Sequence, residues 1–284
     1  MHIQLMTDGG SDLPAAYQEQ YNVTIVPLNI YFGDQQYVSG VDLDIATFYR
    51  KMKEEDELPR SSAPSPHSFY EAYKEVDKDK PIVMFALSKE LSTTHDNALI
   101  ARDMLLEEEP DRNIVVLNTK TATSGMSLLI DEAGRQIKNG MTIEQLIPHM
   151  EERIEKTSTL FILRTVENLI KGGRLDRVKG AIAKTLNIKL LMKASEEGTI
   201  EVAEKVRGNK KAMRRFVDQI GEYTHSFENK VLALSYSTTE QAAAKLVQEM
   251  KDRYGFQDTM LMEMGPLCAT YAGEGGYVMS FFHD

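Results

Sequence analysis

Six consecutive apolar residues, Ile82 to Leu87, followed by a hydroxyl-rich loop, constrain the fold more than any other feature of the chain. A run of this length predicts a strand that is buried on both faces, as in a parallel sheet covered by helices. The loop after it carries hydroxyl side chains at Ser88, Ser92, Thr93 and Thr94. A helical pattern then resumes at about Asn97. The loop is therefore predicted to lie at the carboxyl end of a parallel strand, where open α/β sheets bind ligands.

Two interpretations of this loop remain open on its residues alone. The start of a helix offers free backbone N–H groups and the positive end of the helix dipole. Together with hydroxyl donors, it suits a carboxylate or a phosphate. Alternatively, Ser92 or Thr94 only caps the following helix.

The same order of strand, polar loop and helix recurs in the first half of the chain. A strand at 2–7 precedes the loop Asp8 to Asp12, and a strand at 113–117 precedes the hydroxyl-rich segment 118–125. This repetition predicts a parallel-sheet α/β lobe. We expect the loops at Asp8, Ser92 and Thr119 to meet at one edge of its sheet.

Ser61 and Ser62 lie in a proline-stiffened segment, 59–66. Ser65 followed by Pro66 predicts the cap and first residue of the next helix. Ser61 and Ser62 are then free of the obvious capping role, so the segment suits either a ligand or an ordinary surface loop.

From about Thr159 the pattern changes. Residues 188–193 and 199–206 predict a β-hairpin, followed by alternating helices and strands that end with a strand at 277–282. We therefore divide the chain into an N-terminal parallel-sheet α/β lobe, 1–157, and a C-terminal mixed α/β lobe, 158–284, with a ligand between them. Segment 265–276 holds four glycines and is predicted to be a loop.

Composition excludes several functions. The single cysteine, Cys268, excludes an internal disulfide and a zinc cluster, which fits a reducing cytoplasm. No signal peptide or membrane-spanning run is evident, so we expect a cytoplasmic protein.

The net charge is −10, yet residues 171–215 hold 13 Lys and Arg against 5 Asp and Glu. No aromatic residues accompany these charges before Phe216, so nucleic-acid binding is not expected.

Several motifs in order show that the sequence resembles the DegV family over essentially its whole length. This family includes the fatty-acid-binding subunits of bacterial fatty acid kinase. The matching segments are Thr7-Asp8 with T-D-S, 59–65 with P-x-T-S-Q-P-S, 87–94 with L-S-S-x-L-S-G-T, 118–125 with D-S-K-x-A-S-x-G, 171–175 with K-G-G-R-I, 186–189 with L-N-I-K, 205–212 with K-V-R-G-x-K-K-A, and 265–275 with G-P-V-x-G-T-H-x-G-P-G.

The resemblance implies a protein that binds a long-chain fatty acid in an apolar tunnel between two lobes. The carboxylate would be held by hydroxyl groups matching Ser61 and Ser92, and hydroxyls can donate to a carboxylate without a buried countercharge. The wider set of ligand-binding residues that it implies is Ser61, Ser62, Ser92, Thr93, Thr94 and Tyr271. A partner kinase would phosphorylate the carboxylate with ATP, so no catalytic residue, cofactor or metal is expected here. The basic region around Arg174 and Arg207 is the expected kinase-docking surface.

Two departures from the family pattern affect this expectation. Tyr271 replaces the family's His, and a phenol with an ordinary pKa of about 10 cannot supply a positive charge near neutrality. Thr93 replaces a Gly in the carboxylate loop. Fatty-acid binding is therefore better supported than coupling to a kinase.

Two other functions are also consistent with the residues. One is an acyl hydrolase with Ser92 as nucleophile and His95 as base, although the G-x-S-x-G motif is absent. The other is a binder of a small phosphorylated ligand that uses Asp8 and the glycines of 273–276.

Overall fold

The computed structural model describes residues 2–55, 57–175 and 187–284, and within them it shows a mixed α/β fold with two lobes. Leu186, the first residue of one family match, lies outside the described residues. The strands are β1 (Gln4–Asp8), β2 (Thr24–Val26), β3 (Asn29–Phe32), β4 (Gln35–Val38), β5 (Arg60–Ser62), β6 (Ile82–Ala86), β7 (Ile114–Asn118), β8 (Thr157–Ile162), β9 (Ile188–Ala194), β10 (Ile200–Arg207), β11 (Val231–Tyr236), β12 (Asp258–Glu263) and β13 (Tyr277–Phe282). The helices are α1 (Ala15–Tyr21), α2 (Ile45–Glu54), α3 (Pro66–Lys74), α4 (Thr94–Glu108), α5 (Ser124–Lys138), α6 (Ile143–Glu155), α7 (Glu167–Lys171), α8 (Asn209–Asp218), α9 (Ile220–Tyr223), α10 (Glu240–Tyr254) and α11 (Pro266–Ala272).

The first lobe is built on a four-stranded parallel sheet in the order β2-β1-β6-β7. Every residue of β6 is buried, as its unbroken apolar run predicts. Because all four strands run the same way, the loops after β1, β6 and β7 meet at one edge. The amide of Leu87 donates to the Asp8 carboxylate at 2.8 Å, and that of Lys89 donates to Asn118 at 3.1 Å. The predicted gathering of these loops is confirmed.

The second lobe is built on a six-stranded mixed sheet in the order β10-β9-β8-β13-β11-β12. Its β9–β10 hairpin is antiparallel, as predicted, whereas β11 and β12 pair in parallel. Strand β8, which begins at Thr157, is the first strand along the chain to belong to this sheet. A small antiparallel sheet, β4-β3-β5, extends from the first lobe and carries Ser61 and Ser62.

Helix α5 lies between the two large sheets. Eleven of its fifteen residues are buried. Its side chains share one apolar core with Leu5 and Phe85 of the first sheet and with Ala233 and Met260 of the second. Residues 124–131 of this helix are all buried, so its first two turns must be covered on every side. Burial of α5 therefore holds the two lobes together.

Three prolines, Pro27, Pro148 and Pro266, shape the local structure, and the last of them contradicts the sequence prediction. Segment 23–30 is divided at Pro27 into β2 and β3, which belong to different sheets. Proline has no N–H to donate to a sheet, so it separates the two pairings. Pro148 does not interrupt α6, because the carbonyl it leaves unbonded belongs to exposed Glu144 in the first turn. The glycine-rich segment after β12 is not a loop throughout, because Pro266 starts helix α11.

No helix in the described parts of the chain is both long and apolar enough to cross a bilayer.

Tight packing around α5 leads to a stability prediction. A Cβ atom at Gly134 would lie 2.4 to 2.7 Å from three ring atoms of Tyr21, and that ring is only 1% exposed. We expect Gly134→Ala to lower the free energy of unfolding by about 1–3 kcal/mol, as overpacking of a core usually does. Urea denaturation measures this change.

The matched control is Gly221→Ala in α9, where the new methyl would meet Tyr254 at an ordinary contact distance of 3.4 Å. This control should keep or slightly raise stability, because Ala favours helix more than Gly does. Equal unfolding free energies for Gly134→Ala and the wild type would contradict the packing described here.

Candidate functional site

A cavity of about 590 Å³ lies between the lobes, at the edge of the first sheet where its polar loops meet. This volume is within the range of sites for small-molecule ligands. Its walls come from both lobes and from the small sheet. The apolar part of the wall includes Leu28, Leu87, Phe161, Leu163, Met264 and Val278. These side chains offer no hydrogen bonds, so they suit the hydrocarbon part of a ligand.

Hydroxyl groups form another part of the cavity wall. Ser61 and Ser62 reach it from β5, and Tyr271 reaches it from α11. The Ser61 hydroxyl is hydrogen-bonded to the Tyr271 hydroxyl at 2.7 Å. Two residues 210 positions apart in the chain therefore meet at the wall of the cavity.

Ser92 and Thr93 also line the cavity, immediately before α4. The Ser92 hydroxyl is 2.8 Å from that of Thr94 and accepts a weaker bond, at 3.3 Å, from the Thr94 amide. Thr94 itself is fully buried and does not reach the wall. Ser92 thus organises the helix start and faces the cavity, so the two interpretations of this loop are compatible.

A second long helix also begins at the cavity. Thr121, Ala122 and Thr123, which precede α5, lie on its wall. Helices α4 and α5 each have fifteen residues, so the positive ends of two helix dipoles lie near the same space. This arrangement favours a ligand that carries a negative charge.

Sequence reasoning did not select Thr121, Thr123 or Thr159, which all line the cavity. The hydroxyl-rich segment 118–125 contained the signal for the first two. Thr123 has a φ of 48°, which is unusual for a β-branched residue. Its amide donates to the Gly10 carbonyl at 2.7 Å, and its hydroxyl donates to Ser235. Thr159 is the third of three hydroxyl-bearing residues that begin β8, so no sequence signal sets it apart from its two neighbours.

The two arginines of the predicted docking surface have different environments. Arg174 is half-buried and lines the cavity, whereas Arg207 ends β10, is exposed and does not line the cavity. The Arg174 guanidinium donates to the carbonyls of Leu91 at 3.2 Å and Gly172 at 2.5 Å. Its central carbon lies 5.0 Å from the centre of the Tyr271 ring.

Buried acidic groups lie behind the cavity wall. Burial raises the pKa of Asp8 to about 6 and that of Asp12 to about 7, although backbone N–H donors act in the opposite direction. Burial, together with nearby Asp12, also raises the pKa of the Cys268 thiol, so the thiol is neutral near pH 7. Partial protonation of Asp12 reduces the repulsion that it would exert on an anionic ligand.

The geometry does not favour an acyl hydrolase. The Ser92 hydroxyl is bonded to Thr94, and the His95 ring is 3.4 Å from Asp96 rather than bonded to Ser92. A serine nucleophile needs a base within hydrogen-bond reach of its hydroxyl.

The second alternative, a phosphate site at Asp8 and the terminal glycines, also lacks the groups that it needs. Asp8 is fully buried and accepts bonds from the amides of Gly10 and Leu87, so it ties its own loop together. The amides of Gly275 and Gly276 donate to the carbonyl and hydroxyl of Ser237. Occupied N–H groups cannot form an anion nest. Over the described ranges, no three His, Cys, Asp or Glu side chains are grouped to hold a metal ion.

Comparisons with known proteins agree with this architecture. The family model described as "Uncharacterised protein, DegV family COG1307" matches residues 2–283. A DegV domain-containing protein from Streptococcus pneumoniae is 30% identical over 283 residues, which cover 99% of each chain.

Two solved structures resemble the chain over almost all of both lengths. A DegV family protein from Ruminococcus gnavus, refined with vaccenic acid, has a TM-score of 0.92 and 28% identity, with 99% of each chain covered. The Fatty Acid Kinase (Fak) B3 protein of Streptococcus pneumoniae, loaded with linoleic acid, has a TM-score of 0.85 and 30% identity, with 100% of each covered. The match of the family model to residues 2–283, together with the two-lobed fold, shows that this chain belongs to the DegV family.

Proposed function

We propose that this protein binds a long-chain fatty acid in the cavity between its lobes. One observation carries the proposal: an apolar cavity of about 590 Å³ has hydroxyl side chains and the starts of two long helices on its wall. An amphipathic ligand with one anionic end matches this combination. Relatives with the same fold hold vaccenic or linoleic acid.

The apolar and the polar side chains of the cavity contribute to binding in different ways. Burial of the acyl chain supplies most of the affinity, at about 0.8 kcal/mol for each CH₂ group removed from water. The polar groups orient the acid, because hydroxyl bonds to a carboxylate are charge-assisted. We assign the carboxylate to Ser61, Ser92 and Tyr271, with Ser62 and Thr93 beside them. Thr94 acts through its bond to the Ser92 hydroxyl.

The hydroxyl assignment predicts weaker binding in the double variant Ser61→Ala/Ser92→Ala. Each bond to a charged group contributes about 1.5–3 kcal/mol, so the loss of both should weaken oleic acid binding at least about tenfold. Isothermal titration calorimetry with delipidated protein measures this change.

The matched control is Ser39→Ala, whose side chain lies outside the cavity wall. It should bind oleic acid as the wild type does. Unchanged affinity in the double variant would contradict the assignment of the carboxylate to these hydroxyls.

We also propose that the protein itself is not an enzyme, acts in the cytoplasm and presents its acid to a fatty acid kinase. The solved relative described as a fatty acid kinase protein supports a kinase partner. Among the described residues, no base is hydrogen-bonded to the Ser92 hydroxyl, which supports a carrier role. We place the kinase contact at Arg174 and Arg207. Part of the surrounding basic segment, 176–186, lies outside the described residues.

Charge reversal at the exposed arginine tests this docking surface. Arg207→Glu should keep oleic acid binding and lower acyl-phosphate formation by a bacterial fatty acid kinase catalytic subunit at least about tenfold, because a salt-dependent contact becomes repulsive. Arg50→Glu, which replaces an exposed arginine of α2, is the control and should have little effect. Equal phosphorylation with Arg207→Glu and the wild type would remove Arg207 from the interface.

A further inference from the structure

Four hydroxyl side chains form a continuous row of hydrogen bonds that begins at the cavity wall. Thr121 and Thr159, which both line the cavity, are joined through their hydroxyls at 2.8 Å. The row continues from Thr159 to Ser280 at 3.0 Å and from there to Ser124 at 2.9 Å. Both serines are fully buried. In the described parts of the chain, no hydrogen bond joins this hydroxyl row to the hydroxyls that we assign to the carboxylate.

A count of protons identifies the Thr121 end of the row as the open one. Each hydroxyl has one proton to donate and two lone pairs that accept, so four hydroxyls have one proton more than their three links need. The remaining proton belongs to one end of the row. At the buried end, Ser124 is 3.2 Å from the Val278 carbonyl. At the cavity end, Thr121 is 3.4 Å from the Ala122 carbonyl, which is long for a hydroxyl donor.

The Thr121 hydroxyl has spare capacity whichever way the links run. When Ser124 donates to Val278, each link is donated toward Ser124, and Thr121 accepts no bond from a described residue. When the links run the other way, Thr121 holds the spare proton and has only the long contact to Ala122. A ligand hydroxyl both donates and accepts, so it fits either direction, whereas a carbonyl or a carboxylate only accepts.

A purely hydrocarbon ligand has no use for hydroxyls on this part of the wall. Leu163 and Met264 line the same cavity with apolar side chains, and valine in place of threonine would do so with almost the same shape. A ligand hydroxyl that lies against apolar walls alone loses its hydrogen bonds to water without replacement. The open end of the hydroxyl row supplies that replacement.

We propose that the preferred ligand is a fatty acid that carries a hydroxyl group on its acyl chain, and that Thr121 binds this hydroxyl. This inference rests on the proposed function and narrows its ligand class. Thr159 is a positioning residue, because its bonds to Thr121 and Ser280 hold the Thr121 hydroxyl in place. The ligand then has two polar groups, and the cavity has a separate set of hydroxyls for each.

The first test compares ligands that share one chain length. Octadecanoic acid is titrated into the delipidated wild-type protein beside its three isomeric derivatives with a hydroxyl at the third, tenth or twelfth carbon. We expect at least one hydroxy acid to bind at least about fivefold tighter than octadecanoic acid, as one added hydrogen bond provides.

The second test removes the hydroxyl of Thr121. Thr121→Val should weaken binding of the preferred hydroxy acid at least about fivefold and change octadecanoic acid binding less than about twofold. Thr121→Ser keeps the hydroxyl and should keep the preference for the hydroxy acid. Thr259→Val in β12, outside the cavity wall, is the control and should bind both ligands as the wild type does.

The outcomes separate this inference from the proposed function. A wild type that binds all three hydroxy acids no tighter than octadecanoic acid would overturn the inference, and this result does not depend on whether Thr121→Val folds. Equal losses for both ligands in Thr121→Val would also overturn it, because the row would then only join the two lobes. Fatty-acid binding itself would stand in either case. A delipidated wild type that binds none of the four acids would instead contradict the proposed function.

Discussion

The burial of α5 between the two large sheets is the constraint on which the rest of the structure depends. Because the helix is covered on nearly all sides, both sheets must pack against it, which fixes the distance between the lobes. The glycines of α5 allow this close approach. At Gly125 an added Cβ would lie 2.3 Å from the Thr121 hydroxyl and 2.8 Å from that of Thr159. The N-terminal end of the helix is thus joined to both lobes, and the cavity lies beside it.

The cavity follows from the way parallel strands end. The loops after strands β1, β6 and β7 lie at one edge of the first sheet. The second sheet faces that edge with apolar side chains of β8 and β13. The cavity therefore combines hydroxyls and helix starts with apolar side chains that come from both lobes. A ligand that is polar at one end and apolar along its length matches both kinds of group. Neither kind alone identifies the ligand, since hydroxyl loops also bind phosphates and apolar clefts also bind neutral lipids.

Much of this arrangement was predictable from the sequence, because it depends on local patterns. The apolar run of β6, the cap at Ser65 and the β9–β10 hairpin all act over a few residues, and the structure contains each of them. Family motifs pointed to Ser61, Ser92 and Tyr271, and all three line the cavity.

The remaining features depend on contacts between distant residues. The bond between Ser61 and Tyr271 joins two separate segments, and no spacing rule connects them. Arg174 looked like part of a basic surface, because counting charges along the chain does not show which side chains turn inward. Helix α11 was missed because its flanking glycines indicate a loop, while Pro266 and the packing of Leu267 and Ala269 in the core favour a helix.

Occupancy of the cavity is the central claim, and native mass spectrometry of the purified wild-type protein tests it most directly. The spectrum under native conditions is compared with that of the denatured chain, and the extracted lipid is identified. The account predicts a mass excess equal to one long-chain fatty acid per chain, lost on denaturation and restored by adding oleic acid to delipidated protein. A native mass equal to that of the bare chain, unchanged after oleic acid is added, would contradict it.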